Sequence, residues 1–264
     1  MARARKTVEL EFLGTGTSAG VPVPGCRCAV CRSKDPRDKR LRSSALVRNG
    51  RRNLIIDASP EFRIQCLRAG VFTVDALVLT HGHADHTNGF DDIRSYSFFK
   101  SRTVPVWGDG KTLRTIERRF DYVWHATQWG GGLPQVELRG IEGPFTAAGL
   151  ELTPIPILHG ALPILGFRIG DLAYLTDVSR IPESSLPPLE DLRTLIVSCA
   201  RTMPHETHFN LADVKRTHDR LRPERTLVTH ISHYFSHRRL VAALPPGVDP
   251  AQDGMRVAID LAAR

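Results

Sequence analysis

The sequence predicts a single domain that mixes β-strands with α-helices. Short apolar runs rich in β-branched residues alternate with stretches in which apolar residues recur at helical spacing. Histidines or acidic residues directly follow several of the apolar runs. A membrane-spanning helix needs about 18 or more consecutive apolar residues, and no such run occurs in the sequence, so we expect no membrane-spanning helix. The length is compatible with one undivided domain over residues 1–264.

The predicted elements alternate along the whole chain. In the first half, strands are predicted at residues 10–14, 44–47, 54–57, 76–80 and 104–107, and helices at 60–69 and 113–120. In the second half, strands are predicted near residues 150–157, 164–169, 172–176, 194–198 and 226–229, and a helix at 211–221. Glycine and proline clusters predict loops at 130–134 and 187–188.

The segment after the predicted strand 76–80 concentrates histidine and acidic residues. His81, His83, Asp85 and His86 lie within six positions. In an extended loop, the first two can converge on one metal ion while the last two turn toward a second. Imidazole and carboxylate groups bind zinc, manganese or iron and leave positions open for water. The alternative is a set of solvated or helix-capping polar residues, which four such residues in so short a segment disfavour.

The pattern His-x-His-x-Asp-His, followed by Gly89, resembles the signature of the metallo-β-lactamase superfamily. That resemblance implies an α+β fold, the four-layer αββα sandwich, with the metal ligands on one sheet edge. The superfamily also requires a third histidine for the first metal, a bridging aspartate and a last histidine for the second metal. His159, Asp177 and His230 each follow a predicted strand and match these roles. A lone residue of this kind is often a turn or capping residue, but the order and context of the three favour ligands.

A cysteine-rich loop at about residues 25–32 forms a second cluster. It contains the pattern Cys-x-Cys-x-x-Cys, formed by Cys26, Cys28 and Cys31. The apolar stretch after the basic first residues is too short and too interrupted for a signal peptide, so we expect a cytoplasmic protein. Clustered thiols in that compartment indicate a metal rather than disulfides, and we choose His233 as the fourth ligand of a structural zinc ion. The alternative is a group of unpaired thiols without a metal.

Further motifs narrow the resemblance to the PhnP-type branch of the superfamily, which contains cyclic phosphodiesterases of phosphonate breakdown. Residues 12–18 read Phe-Leu-Gly-Thr-Gly-Thr-Ser, residues 89–94 read Gly-Phe-Asp-Asp-Ile-Arg, and residues 229–233 read Thr-His-Ile-Ser-His. Together with the cysteine pattern, they extend the resemblance over about residues 9–255. The ligands implied by this resemblance are His81, His83 and His159 for one ion, Asp85, His86 and His230 for the other, Asp177 between them, and Cys26, Cys28, Cys31 and His233 for the structural zinc.

The resemblance also implies catalytic roles. Asp85 is expected to be required for metal content and activity together. His208 is the implied general acid, since an imidazole ordinarily titrates near ~6.5. Asn210 stands where the family has an acidic residue two places after this histidine, which weakens the assignment, and His205 lies close enough to compete for the role. Asp57, at the end of a predicted strand, is either a hydrogen-bond partner of a ligand histidine or an ordinary turn residue.

The implied reaction is hydrolysis of a small cyclic phosphodiester, such as 5-phosphoribosyl 1,2-cyclic phosphate. Two divalent ions, with manganese, zinc and iron all compatible, would turn a bridging water into hydroxide near neutral pH. The formal net charge of +8 favours an anionic substrate, although simple solubility explains it equally well. No membrane partner is expected, a nucleic-acid partner is disfavoured but stays open, and a homodimer is suggested only by the resemblance.

Three alternatives stay open. A tRNA 3′-processing nuclease would share the Phe-Leu-Gly-Thr-Gly start and the histidine motif, but no long insertion rich in glycine and basic residues is present to grip RNA. A relative of the PqqB proteins would keep the cysteine pattern but lacks the glycine-rich stretch expected before it. A non-enzymatic zinc-binding or nucleic-acid-binding module would not need ligands that leave coordination positions open.

Overall fold

Two seven-stranded β-sheets form the centre of the protein. The structure is a computed structural model that describes residues 7–98, 101–125 and 132–262. One apolar cluster lies between the sheets, and a further cluster joins each sheet to the helices on its outer side. The αββα sandwich expected from the sequence is therefore confirmed.

The strands divide between the two sheets without exchanging partners. Along the chain they are β1 (Thr7–Gly14), β2 (Ser44–Asn49), β3 (Arg52–Ile56), β4 (Ala76–Val78), β5 (Val104–Gly108), β6 (Val136–Gly140), β7 (Phe145–Ala147), β8 (Leu150–His159), β9 (Leu162–Ile169), β10 (Leu172–Leu175), β11 (Thr194–Ser198), β12 (Arg225–Thr229), β13 (Val248–Pro250) and β14 (Arg256–Asp260). The order in the first sheet is β14-β1-β2-β3-β4-β5-β6, and in the second it is β13-β12-β11-β10-β9-β8-β7.

The described helices are short, and local capping decides where the two longest begin. They are α1 (Phe62–Arg68), α2 (Ala84–Thr87), α3 (Arg94–Ser97), α4 (Gly110–Arg119), α5 (Leu211–Leu221) and α6 (His237–Ala243). The helix predicted at 113–120 starts earlier, because the Asp109 carboxylate accepts the Thr112 N–H at 2.6 Å. A capping box formed by Asn210 and Asp213 fixes the start of α5 where it was predicted.

Side chains that alternate between the two faces of each strand explain how the sheets and helices pack in layers. Leu54 and Ile56 of β3 face the core between the sheets, where they join Leu227 of β12. Ile55 points the other way and packs in the cluster that contains Phe62 of α1. Since successive strand residues face opposite sides of a sheet, each sheet buries one face against its partner and the other against helices.

Parallel strand ends bring the polar residues together. Strands β3, β4 and β5 run parallel in the first sheet, as do β10, β11 and β12 in the second. Asp57 directly follows β3, and the histidine motif begins shortly after β4. In the second sheet, Asp177 lies shortly after β10 and His230 directly after β12. Carboxyl ends of parallel strands meet at one edge of a sheet, which is where ligand sites form in such folds.

Two loop predictions have different outcomes. Residues 187–188 belong to a single 3-10 turn, Pro187–Leu189, because proline is well suited to the first positions of a helical turn. Residues 130 and 131 of the other predicted loop, like residues 1–6, lie outside the described residues. Within the described ranges, no helix combines the length and the apolar character needed to cross a bilayer.

Candidate metal centre

Three polar residues of the site have left-handed backbone conformations just past the ends of their strands. The φ angles are +63° at Asp57, +55° at Asp177 and +51° at His230. Aspartate and histidine tolerate this region better than bulky or branched residues, but it remains uncommon for residues other than glycine. Such conformations concentrate at functional sites, where the surrounding fold holds them in place.

The histidine motif spans the loop after β4 and the short helix α2, which contains Asp85 and His86. The His81 ring lies 4.6 Å from the His83 ring and 4.3 Å from the His86 ring, measured between centroids. His159, at the end of β8, approaches the same group, with its ring 5.2 Å from that of His83. Asp85 turns toward the other side, where its Oδ2 lies 3.4 Å from His86 Nε2.

Asp177 stands at the centre of the ligand set. Its Oδ2 lies 3.1 Å from His86 Nε2 and 3.2 Å from His230 Nδ1, and it accepts the Thr176 hydroxyl at 2.8 Å. Burial opposes ionisation, yet His230 and His86 hold the pKa of Asp177 well below its usual value. The carboxylate is therefore charged and faces ligand groups on both sides. Three overlapping groups have all their ligand atoms within 4.8 Å of one another: His81 with His86 and Asp177, Asp85 with His86 and His230, and His159 with Asp177 and His208.

Asp57 orients the histidine motif from behind. Its carboxylate accepts the Thr80 N–H and the Thr80 hydroxyl, both at 2.8 Å, and the Nδ1–H of His86 at 2.7 Å. His81 Nδ1 lies 3.0 Å from the same Thr80 hydroxyl, which already donates to Asp57 and so accepts from the histidine. Asp57 is fully buried, and the expected hydrogen bond to a histidine of the motif is present.

The other two strand-end histidines are also anchored. His159 Nδ1 donates to the Thr207 carbonyl oxygen at 2.6 Å. His230 Nδ1 lies 3.1 Å from the Ser43 hydroxyl, which itself donates to the Gly16 carbonyl oxygen. Contacts of this kind fix ring orientation around a metal ion.

The residues fit divalent cations. Since Nδ1 of His81 acts as a donor, Nε2 of this ring offers a lone pair, and Nε2 of His86 would offer one once a cation replaces its proton. The Nε2 atom of His81 is buried without a hydrogen-bond partner among the described residues, a situation that is costly unless an ion or water is bound. Burial holds the pKa of His81 well below its usual value, so this ring is neutral, as a metal ligand must be.

The electrostatics at His86 point to the same conclusion. Burial disfavours a charged ring there, but Asp177, Asp57 and Asp85 together raise the pKa of His86 well above its usual value. Three carboxylates therefore create a potential that attracts positive charge into a buried space. Divalent cations would neutralise it.

His208 lies against this group, and His205 does not. The His208 ring is 4.7 Å from the His159 ring and its Nδ1 is 3.7 Å from Asp177 Oδ1. Burial, reinforced by His230, lowers the pKa of His208 to about 3, so the ordinary value assumed from the sequence does not apply. His205 is exposed, with its ring 6.0 Å from that of His208.

The cysteine cluster joins two distant segments. The Sγ atoms of Cys26, Cys28 and Cys31 lie 3.4, 3.6 and 3.5 Å from His233 Nδ1. A hydrogen bond from the backbone N–H of Cys31 lowers the pKa of Cys28 to about 6, whereas burial raises that of Cys31 to about 11. All the described cysteines are free thiols. Three sulfurs and one imidazole around a common point form a donor set suited to tetrahedral zinc.

Sequence reasoning missed the hydroxyl and carbonyl partners. One signal was available: a threonine directly precedes three of the site residues, His81, Asp177 and His230. Thr80 and Thr176 hydrogen-bond within the site, although the Thr229 hydroxyl has no partner in the described part of the chain. Ser43 and the Thr207 carbonyl had no sequence signal, because only the tertiary fold brings them to the ligands.

Comparisons with known proteins agree with this architecture. A family model described as a β-lactamase superfamily domain matches residues 52–231. A diphosphatase of the PhnP family, known from its crystal structure, is 39% identical; the match covers 97% of this chain and 98% of that one, with a TM-score of 0.91.

Two curated relatives are similar over part of their own length. An octanoyltransferase of Porphyromonas gingivalis is 36% identical over 254 residues, which cover 94% of this chain and 51% of that protein. Coenzyme PQQ synthesis protein B of Pseudomonas putida is 29% identical over 173 residues, which cover 58% of this chain and 54% of that protein. The chain thus spans about half the length of these relatives. The family model matches more than half of the sequence, so the chain belongs to the family described as a β-lactamase superfamily domain.

Proposed function

We propose that this protein is a metal-dependent hydrolase that cleaves a small phosphodiester, with a cyclic phosphodiester such as 5-phosphoribosyl 1,2-cyclic phosphate as the leading candidate. The observation that supports it best is the buried carboxylate of Asp177, which faces ligand groups on two sides. His81, His83 and His159 would hold one divalent ion, and Asp85, His86 and His230 the other. Asp177 would contact both ions.

The bound ions would supply an activated water and positive charge for the phosphoryl oxygens. The protein orients the metal ligands and excludes bulk water. Asp57 keeps the His86 ring in the tautomer that presents Nε2 to an ion, and Thr176 orients the Asp177 carboxylate. Because the site is buried, the positive charge of the ions would act more strongly on a bound anion than it would in water.

His208 is the proposed general acid for the leaving alkoxide. It is half-buried, lies against Asp177, and is neutral in the free protein because burial lowers its pKa to about 3. An anionic phosphodiester bound beside it would favour the protonated ring and raise that pKa. Protonation of His208 would thus be coupled to binding of an anionic substrate.

The diphosphatase similarity favours a second candidate reaction, hydrolysis of a diphosphate linkage. Both reactions displace an oxygen leaving group from phosphorus and need the same ions and acid. The similarity to the octanoyltransferase does not support acyl transfer by this chain, because the match covers only 51% of that protein and the ligand set suits hydrolysis.

We further propose that Cys26, Cys28, Cys31 and His233 hold a structural zinc ion. The cluster ties the loop at residues 25–32 to the segment after β12. His230 precedes His233 in that same segment. A closed tetrahedral zinc would therefore stabilise the position of a proposed catalytic ligand.

Phosphorus NMR of the manganese-loaded protein tests the proposed function. We expect 5-phosphoribosyl 1,2-cyclic phosphate to be opened to a bisphosphate, and the Asp85→Ala variant to lose both metal and turnover. Cleavage of a dinucleotide diphosphate with no action on the cyclic ester would favour the second candidate. Turnover of neither compound by fully loaded protein would contradict both.

A further inference from the structure

A cavity of about 290 Å³ lies beside the histidine motif. It is bounded by the loop after β4, by the first turns of α4 and by the start of β9. The residues that line it are His81, Gly82, His83, Asp109, Lys111, Thr112, Thr115, Leu162 and Pro163. Two of the proposed metal ligands are therefore part of its wall.

Lys111 is the positively charged side chain in that lining. No ion pair within the described ranges involves it, and it is exposed, so its ammonium group is available to a ligand. Asp109 also lines the cavity, but its carboxylate already accepts the Thr112 N–H at the start of α4. The remaining lining residues are uncharged; they include His81 and His83, whose pKa values are lowered by burial.

The loop that carries His81 and His83 packs closely against α4 at the edge of the cavity. A Cβ added at Gly82 would lie 3.2 Å from the Thr115 side chain, so glycine permits the loop to approach α4 closely. The Thr115 hydroxyl donates to the Lys111 carbonyl oxygen at 3.0 Å, in addition to the helical hydrogen bonds. The backbone at position 111 is thus held, while the long side chain can reach a bound group.

We propose that this cavity is a subsite for a second anionic group of the substrate, a phosphate monoester, with Lys111 as its counter-ion. The inference rests on the proposed function, since the phosphodiester to be cleaved must lie at the ions held in part by His81 and His83. The volume is close to the lower limit of about 300 Å³ for small-molecule sites. A phosphate with a few attached carbons fits this volume.

A matched pair of substrates tests the subsite. 5-Phosphoribosyl 1,2-cyclic phosphate and ribose 1,2-cyclic phosphate differ only in the second phosphate. We expect Lys111→Ala to lower kcat/KM for the phosphorylated compound by about 10-fold, chiefly through KM, because a charge-assisted hydrogen bond is lost. The same variant should leave the unphosphorylated compound unchanged within about twofold, and Lys111→Arg should retain most of the discrimination.

Lys215→Ala, which removes an exposed lysine from α5, is the control and should affect neither substrate. Equal effects of Lys111→Ala on the two substrates, or no effect on either, would overturn the subsite.

If the wild-type protein cleaves neither compound, hydrolysis of a cyclic phosphodiester, the leading candidate function, is contradicted, and the subsite is then judged by binding alone. Ribose 5-phosphate titrated into metal-loaded protein should shift the amide NMR signals of Gly82 and Thr115, with about 10-fold weaker binding in Lys111→Ala. Absence of those shifts in the wild type, or unchanged affinity in the variant, would overturn it.

Discussion

Replacing Asp57 by asparagine should weaken metal binding without unfolding the protein. The buried carboxylate accepts three hydrogen bonds, two from Thr80 and one from His86 Nδ1. An asparagine keeps one acceptor oxygen, which can still serve the Thr80 N–H, but presents an NH₂ group to His86. The ring must then leave its Nδ1–H unpaired or move the proton to Nε2, where it blocks the metal.

The expected magnitude follows from that lost contact. A hydrogen bond to a charged group contributes about 1.5–3 kcal/mol, which corresponds to roughly 10- to 150-fold in affinity. Loss of a residue that orients a metal ligand typically lowers metal affinity by about 10- to 100-fold. We therefore expect Asp57→Asn to weaken binding of the ion held by His86 by one to two orders of magnitude.

Competition with a fluorescent chelator measures this affinity directly. The matched control is Asp75→Asn, because Asp75 is a partly buried carboxylate that accepts the Asn53 N–H near the opposite end of β4. Circular dichroism checks that both variants are folded. Unchanged metal affinity in a folded Asp57→Asn variant would refute the argument that this hydrogen bond selects the ligand tautomer.

Three further predictions concern other parts of the molecule. His208→Ala should slow hydrolysis of substrates with alkoxide leaving groups by about 100-fold or more, but hydrolysis of activated aryl phosphodiesters far less. If the steady-state rates for both kinds of substrate fall equally, His208 is not the general acid. Cys28→Ser should lower zinc content by one ion per chain and lower Tm, measured by elemental analysis and calorimetry, and an unchanged zinc count would contradict the structural site. Burial raises the pKa of Asp253 from 3.8 to about 6, so the folded state binds more protons than the unfolded state between those values. The free energy of unfolding should therefore fall as pH rises from about 4 to 6, by about 3 kcal/mol relative to Asp253→Asn, and parallel pH profiles of the two proteins in denaturant titrations would refute this.

Strands with strong apolar patterning were predictable from the sequence, and the weakly patterned ones were not. The predicted strands at 54–57 and 226–229 correspond to β3 and β12, which are buried along most of their length. The strand β6 was missed because Val136–Gly140 is polar and forms the edge of its sheet. The strand β13 was missed because Val248–Pro250 is only three residues long and ends in proline.

Sequence spacing located the residue types of the site, but not the contacts between them. The expectation that residues after separate strands would meet depends on parallel strand ends, and the structure brings His159, Asp177 and His230 within reach of the histidine motif. The choice between His208 and His205 needed coordinates, because both lie in the same loop and differ only in burial and direction. The lowered pKa of His208 also follows from burial, which local sequence does not reveal.

The proposed metal centre can be tested by anomalous diffraction from crystals of the metal-loaded protein. Data would be collected on both sides of the manganese and zinc absorption edges. We expect two divalent ions in contact with Asp177, one on the side of His83 and His159 and one on the side of Asp85 and His230. We also expect a zinc ion among Cys26, Cys28, Cys31 and His233. A fully loaded crystal with no anomalous peak beside Asp177 would contradict the proposed metal centre and the hydrolytic function built on it.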